Sequence, residues 1–236
     1  MDYSQVLCII ALLLLSERQI GICGGPVTVN TDKTVEKYVE AYRRALLNGK
    51  FSDIEAQVDA FRRRLGEMYI SEEFERYNVY PTTNTEYIFA VIAMCLELKQ
   101  HNLSDVEIID LINSGFASRK NFFRKLLRTI DLLPNAYHIA EKWNKSDHDK
   151  RIKDGSLTYD YFNVTDGKIE YCISGCVYIK MFEHYGIRSL CKIFCMTDTT
   201  SYENLPKHVE FIRYSDLSDG DCCHDVIIDK RIKNQR

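Results

Sequence analysis

A dense group of reactive side chains lies near the C-terminus, in the stretch DGDCCHDVIID at residues 219–229. Cys222, Cys223, His224 and Asp225 follow one another there, and these residue types supply nucleophiles, proton-transfer groups and metal ligands. If the stretch is a β-strand, successive side chains point to opposite faces. Cys223 and Asp225 then share one face, and the four residues serve one centre only if a bulge intervenes.

Other cysteines of the last third occupy the predicted helices that precede this strand. Cys191 and Cys195 are four residues apart on one helix face, and Asp198 follows near the helix end. Residues at this spacing point in similar directions, so Cys195 and Asp198 can face one site. Cys176 begins the preceding helix, where the helix dipole and free amide groups favour a thiolate. Cys176 therefore has the best local reason to be reactive.

One interpretation is a zinc site that uses Cys176, Cys195 and either Cys223 or His224. The C-x3-C and CC spacings, however, match no structural zinc module, and the sequence contains no C-x-x-C pair. We therefore predict no bound cofactor and keep a divalent metal such as zinc as the alternative.

A second interpretation is a cysteine nucleophile with His224 or Asp198 as the base or orienting group, because a nearby proton acceptor activates a thiol. A third is a ligand pocket lined by thiols and by aromatic side chains such as Tyr178. Free cysteine is also among the most frequently buried residue types, so each thiol has a purely structural alternative. The residue types alone leave all of these interpretations open.

The elements that would position these residues fall into two halves. Apolar residues recur at helical spacing from Thr31 to about Lys145, which predicts a helical bundle. After Gly155 the period changes to two, and residues 156–174, with the turn sequence TDG, predict a β-hairpin. Two helices separated at Gly186 and two further strands follow. The predicted fold class is α+β, a helical N-terminal half followed by a small antiparallel sheet with a packed helix pair.

Three regions follow from this pattern. Residues 1–30 are an apolar N-terminal segment that we predict to be a packed helix, residues 31–150 are the helical bundle, and residues 151–236 are the α+β region with the Cys/Asp/His group. No Pro-rich or Gly/Ser-rich stretch marks a linker between the last two. We therefore expect the bundle and the α+β region to pack as one unit.

The apolar run in the N-terminal segment extends from Val6 to Leu15. A transmembrane helix needs roughly 20 apolar residues, and a signal peptide begins with basic residues, whereas the only charge before this run is Asp2. We predict a helix covered by the protein or by a partner, and hence a cytoplasmic protein, which agrees with the many predicted free thiols. The alternative is membrane association through residues 6–15.

The charge balance limits the kinds of partner. The chain has 31 Lys and Arg residues against 34 Asp and Glu residues, a formal net charge of -3. No strong positive field therefore attracts nucleic acid or anionic lipid. We expect a small-molecule substrate, neither a nucleic acid partner nor membrane association, and we leave the oligomeric state open, including a homo-oligomer.

Two stretches of the last third, GCVYIKMFEHYGIRSLCKIFCMTD and FIRYSDLSDGDCCHDVII, carry a series of short motifs. Their order resembles that of the L-2-amino-thiazoline-4-carboxylic acid hydrolase family, over roughly residues 155–230. Members typically show Cys-x-Tyr, a glycine, Cys-x-x-Asp at a helix end, a strand arginine, and a glycine followed closely by cysteine and aspartate. The corresponding positions are Cys176, Tyr178, Gly186, Cys195, Asp198, Arg213, Gly220, Cys223, His224 and Asp225. His224 departs from the pattern, because family members often place the cysteine directly before the aspartate.

The resemblance implies hydrolytic opening of a cyclic isothiourea, the thiazoline ring of a cysteine-derived amino acid, to a carbamoyl-cysteine product. It implies Cys176 or Cys195 as the nucleophile and Asp198 or Asp225 as the proton-transfer group. His224 would be an acid or base that switches near neutral pH. The expected substrate is thus a cysteine-derived or other small carboxylate.

The resemblance also implies residues that contact the substrate. Arg213 is the expected carboxylate clamp, and Tyr178 and Cys223 are expected to line the pocket. The same C-terminal layout is similar to 4-vinyl-reductase-type domains that bind small molecules, so a non-catalytic sensor is the alternative function. An enzyme requires Cys176, Cys195 and Asp198 around one solvent-reachable cavity, whereas a binding module requires only an enclosed apolar pocket.

Overall fold

The computed structural model describes residues 31–233, and the predicted α+β class is confirmed. The predicted packed helix at residues 1–30, with its apolar run at residues 6–15, lies outside the described residues. Between residues 31 and 154 the chain forms seven helices: α1 Thr31–Asn48, α2 Ile54–Tyr69, α3 Glu72–Tyr77, α4 Thr85–Lys99, α5 Asp105–Gly115, α6 Ala117–Ile130 and α7 Ala136–Asp154. Among residues 31–233, no helix has both the length and the apolar character needed to cross a bilayer.

The C-terminal half combines four strands with short helices. They are β1 Leu157–Thr165, β2 Lys168–Cys176, α8 Val177–His184, a 3-10 turn Arg188–Cys191, α9 Lys192–Tyr202, β3 Val209–Ser215, β4 Cys223–Asp229 and α10 Lys230–Lys233. The strands form one antiparallel sheet in the order β1-β2-β4-β3. The central strands β2 and β4 are therefore flanked by the two edge strands.

Helix α4 is the centre of the bundle. Its residues 88–95 are buried on every side, which explains why the sequence is apolar without a polar stripe. The helix begins at Asn84, whose side chain accepts a hydrogen bond from the backbone N–H of Tyr87 at 3.1 Å. Helices α1, α2 and α5 pack beside it. The same hydrophobic core continues into α8 and reaches Cys223 at the start of β4.

Helix α7 is longer than the sequence predicts. The prediction ends this helix near Lys145, because the polar stretch SDHDK interrupts the apolar pattern, but the helix continues to Asp154. It stops at Gly155, whose φ of 75° lies in the left-handed region that glycine adopts at little cost. The two additional turns carry Asp147 and Arg151 toward the sheet.

The sheet register places polar residues of three strands side by side. Asp225 of β4 lies opposite Tyr171 of β2 on one side and Arg213 of β3 on the other. Directly opposed residues point to the same face, so these three side chains share the inner face of the sheet. The loop before β4 turns tightly at Gly220, where a Cβ atom would lie 2.9 Å from the Asp216 carbonyl oxygen.

Asp154 connects the C-terminal end of α7 to the loop before α4. Its Oδ2 accepts hydrogen bonds from Thr82 N at 2.9 Å and Thr82 Oγ1 at 2.5 Å, and its Oδ1 accepts one from Ser156 N at 2.9 Å. Burial raises the pKa of Asp154, but these hydrogen bonds outweigh burial and hold the pKa below its usual value. The ionised carboxylate is therefore the form that stabilises the fold.

We expect Asp154→Ala to lower the free energy of unfolding by about 1–3 kcal/mol, because it removes hydrogen bonds to a charged group. The contribution of Asp154 is present above the unfolded carboxyl pKa of about 3.9 and is lost as the pH falls through the lower folded value. Urea unfolding at neutral and acidic pH measures both effects. Asp149→Ala, an exposed position on the same helix, is the control, and equal losses in the two variants would contradict the prediction.

Candidate active site

A buried ion pair between Arg213 and Asp225 lies on the inner face of the sheet. The guanidinium donates from Nε to Oδ1 and from Nη2 to Oδ2 of Asp225, at 2.7 Å each. Nη1 donates to the backbone carbonyl of Cys195, and Nη2 also donates to Asp198 Oδ2 at 3.1 Å. Four of the five N–H donors of Arg213 are thus engaged within the protein. Arg213 lies at the site, but it has little capacity left for the predicted role of substrate clamp.

Asp198 forms the outer end of this network. Its side chain is 55% exposed, whereas that of Asp225 is 1% exposed. Burial by the surrounding protein nevertheless raises the pKa of Asp198, an effect that Arg213 opposes and Asp225 reinforces. Asp198 therefore faces a recess that water reaches, with protein on several sides. A carboxyl group that holds its proton more readily than usual is suited to proton transfer.

A second guanidinium, that of Arg151, comes from α7. Its Nε donates to Asp147 Oδ2 at 2.7 Å, one helical turn earlier, and its Cζ lies 5.8 Å from the centre of the Tyr178 ring. Arg151 is also close enough to Asp198 and Cys176 to favour the ionised form of each. We term the resulting group the charged recess; it consists of Asp147, Arg151, Tyr178, Asp198, Arg213 and Asp225.

Cys176 lies beside the charged recess, at the end of β2 and in the N-cap position of α8. Burial raises the pKa of this thiol, whereas the nearby backbone amides of Ile179 and Tyr178 and the charge of Arg151 act in the opposite direction. Burial has the larger effect, so the thiol is protonated at neutral pH. Its ionisation is nevertheless aided by the helix N-terminus, which is the feature that the sequence indicates.

Cys191, Cys195 and Cys223 form a thiol cluster where α9 meets β4, near Cys176. Cys195 contacts both of the other thiols, and the backbone N–H of Leu217 donates to Cys223 Sγ at 3.3 Å. Contact between thiols, together with burial, raises the pKa of Cys195 and of Cys223. A protonated thiol is a weak nucleophile, and Cys195 lacks the helix N-terminus that aids ionisation of Cys176. Cys195 meets the recess through its carbonyl oxygen, which accepts a hydrogen bond from Arg213.

His224 lies on the opposite face of the sheet. Strands β2 and β4 pair in regular register over residues 223–228, so the alternation of side chains holds. The Nε2 atom of His224 lies 3.1 Å from Glu170 Oε1, and Cys222 lies on the same side beside Cys172. The structure does not bring His224 to the charged recess, so its position gives no support to the predicted acid or base role.

Metal-binding groups and cavities would be other indications of a functional site among the described residues. Between residues 31 and 233, no group of three or more His, Cys, Asp and Glu side chains is arranged to hold a metal ion. A cavity of about 670 Å³ lies on another part of α7, against the β1–β2 turn, where Tyr137, Lys145 and Asp166 contribute to its lining. None of the residues predicted for the site lines this cavity.

Asp147 and Arg151 are site residues that the sequence prediction misses. The predicted end of the helix near Lys145 leaves both in a loop. The acidic and basic residues at i and i+4, followed by Gly155, are the signals that would have extended the helix. Without the longer helix, no sequence pattern connects Arg151 with the cysteines of the last third.

The fold is α+β, and the charged recess places the Asp198 carboxyl group beside Arg213, with Arg151 close enough to Asp198 and Cys176 to affect the pKa of both. The family model described as L-2-amino-thiazoline-4-carboxylic acid hydrolase matches residues 84–226, more than half of the chain. The chain belongs to this family, and the resemblance found in the sequence is confirmed. Searches of curated proteins and of solved structures gave no match.

Proposed function

We propose that the protein hydrolyses a C–S or C–N bond of a cyclic isothiourea, with L-2-amino-thiazoline-4-carboxylate or a related small carboxylate as substrate. One observation supports the proposal most: Cys176, a cysteine at a helix N-terminus, and Asp198, a carboxyl group of raised pKa, are both close enough to Arg151 for its charge to lower their pKa values. All three residues fall within the matched family region. The family supports the reaction class, and the arrangement of these groups supports their roles.

The first half of the proposed reaction forms a covalent intermediate. Cys176 Sγ bonds to the ring carbon between nitrogen and sulfur, and the thiol proton passes to the ring nitrogen. The bond between this carbon and the ring sulfur then breaks, and the Asp198 carboxyl group donates its proton to the departing sulfur. The ring is now open, Cys176 carries the carbon as an isothiouronium group, and Asp198 is ionised.

The second half consumes water. Its oxygen bonds to the same carbon, and one of its protons returns to Asp198. The bond to Cys176 then breaks, the remaining proton returns to the thiol, and the carbon becomes the carbonyl of a carbamoyl group. One water molecule is consumed for each ring opened, and the product carries one new free thiol.

Incubation of the full chain with L-2-amino-thiazoline-4-carboxylate tests this proposal. We expect one new thiol per molecule of substrate consumed, measured with a chromogenic thiol reagent, and a carbamoyl-cysteine product identified by mass spectrometry. Cys176→Ala should lower kcat/KM by about 100-fold, equivalent to about 2.7 kcal/mol of transition-state stabilisation. The matched control is Cys222→Ala, a thiol on the other face of the sheet, which should retain wild-type turnover.

The outcomes separate the proposal from its alternative. Ligand binding without turnover by the wild type would overturn the hydrolase assignment and favour the small-molecule sensor. Turnover that survives in Cys176→Ala would retain hydrolysis but assign the attack to a water molecule. Loss of turnover in Cys222→Ala as well as in Cys176→Ala would contradict the placement of the reaction beside the charged recess.

A further inference from the structure

The proposed substrate carries a carboxylate. Arg213, the residue predicted to bind that carboxylate, already binds groups of the protein. Arg213 uses four of its N–H donors on Asp225, Asp198 and the Cys195 carbonyl. Its side chain is 14% exposed, and the Asp225 carboxylate takes its Nε and one Nη donor at 2.7 Å. A substrate carboxylate would have to displace a buried bidentate partner, which is costly because the freed Asp225 charge would be left unpaired.

Arg151 forms fewer hydrogen bonds within the protein than Arg213. Its only salt bridge within the described residues joins Nε to Asp147 Oδ2, and that carboxylate is 43% exposed at the rim of the recess. Among the described residues, Nε is the guanidinium nitrogen of Arg151 that hydrogen-bonds a carboxylate, and the other hydrogen-bonding side chain beside it is that of Tyr178. The two Nη groups form the end of the guanidinium fork, which binds a carboxylate through two parallel hydrogen bonds.

The surroundings of Arg151 hold its side chain in place. The hydrogen bond that Nε donates to Asp147 fixes one side of the guanidinium, and the Tyr178 ring centre lies 5.8 Å from its Cζ. The side chain is 17% exposed, so little conformational freedom is left to lose when a ligand binds. Tyr178, 5.8 Å from Arg151 Cζ, lies in the first turn of the helix that Cys176 begins, so Arg151 lies near the proposed nucleophile. The charge of Arg151 also lowers the pKa of both Cys176 and Asp198.

We propose that Arg151, held by Asp147 and supported by Tyr178, is the receptor for the carboxylate of the substrate, and that Arg213 is a structural residue of the recess wall. This inference rests on the proposed function for the position of the reacting ring. The inference specifies the substrate class further. The substrate is a small heterocycle that carries a carboxylate near its reacting carbon, so that the carboxylate can bind Arg151 while the carbon reaches Cys176. A neutral analogue of the same shape should bind more weakly than the carboxylate, because it cannot form an ion pair with Arg151.

Binding of a matched pair of probes tests the assignment without requiring turnover. The probes are 2-aminothiazole-4-carboxylate, whose aromatic ring resists hydrolytic opening, and the corresponding neutral carboxamide. By isothermal titration calorimetry at pH 7, we expect the wild type to bind the acid at least tenfold more tightly than the amide. Arg151→Met should abolish this preference while retaining the affinity for the amide, and Arg151→Lys should restore it in part, because lysine supplies the charge without the fork.

The controls distinguish a binding role from a merely structural one. Lys150→Met removes one positive charge from the neighbouring, exposed position of α7 and should leave the preference for the acid unchanged. Equal binding of acid and amide by the wild type, failure of both probes to bind, or an equal loss of both affinities in Arg151→Met would each overturn the assignment. Binding of the acid that depends on Arg151, in a protein without hydrolytic turnover, would support this inference while overturning the proposed reaction.

Discussion

Replacement of Asp225 by leucine is expected to lower the free energy of unfolding by about 3–5 kcal/mol, because it leaves the guanidinium of Arg213 without its buried partner. Asp225 is 0% exposed, and both of its carboxylate oxygens accept hydrogen bonds from Arg213 at 2.7 Å. The remaining partners of Arg213 are the Asp198 carboxylate, which faces water, and the carbonyl of Cys195. Equilibrium unfolding in urea measures the loss.

The double variant Arg213→Met/Asp225→Leu tests whether the unpaired charge of Arg213 causes this loss of stability. Replacing a buried ion pair by apolar side chains of similar volume is often close to neutral, whereas removing one partner is strongly destabilising. We therefore expect the double variant to recover most of the stability that Asp225→Leu loses. A double variant that is as unstable as the single one would show that the cost comes from packing at Asp225 rather than from the unpaired charge.

Asp198→Asn is expected to lower kcat for the thiazoline substrate by about 10²–10⁴-fold, the usual contribution of a general acid or base. Asparagine keeps the size of the side chain and can still accept a hydrogen bond from Arg213, but it cannot supply a proton. The proposed reaction needs Asp198 protonated when the ring sulfur departs. Because burial raises the pKa of Asp198, this form persists to higher pH than for an ordinary carboxyl group.

The pH dependence of kcat shows which protonation state of Asp198 the reaction requires. For a general acid, kcat falls as the pH rises through the raised pKa of Asp198, and this decrease should be absent from the profile of Asp198→Asn. A profile that falls toward low pH instead would show that the second half of the reaction, in which ionised Asp198 takes a proton from water, limits the rate. Asp149→Asn removes an exposed carboxylate from α7 and should retain the wild-type rate and profile. Thermal unfolding of each variant separates loss of activity from loss of folding.

Local sequence signals account for most of the fold. The change of period after Gly155, the TDG turn and the break at Gly186 each act over a few residues, and the structure contains the corresponding hairpin and helix pair. Local signals could not predict the length of α7, because its last turns are polar. These turns are stabilised by contacts with distant elements, such as the hydrogen bonds between Asp154 and Thr82. Periodicity reports on burial along one element, not on such partners.

The site could be predicted only as far as single elements determine it. Cys176 at a helix start and the alternation along β4 follow from local geometry, and the same alternation separates Asp225 from His224. The pairing of Arg213 with Asp225 depends on the register between two strands, which a single sequence does not reveal. The contact between the Cys195 and Cys223 thiols likewise depends on how α9 meets β4.

The thiol cluster also provides the protein with an internal reporter of local opening. Cys191 and Cys223 are buried where α9 meets β4, so an alkylating reagent reaches their sulfur atoms only when the helix lifts from the strand. When reclosing is fast compared with alkylation, the labelling rate follows the equilibrium population of the opened state. The free energy of local unfolding beside the charged recess could then be followed in native buffer, without an engineered label.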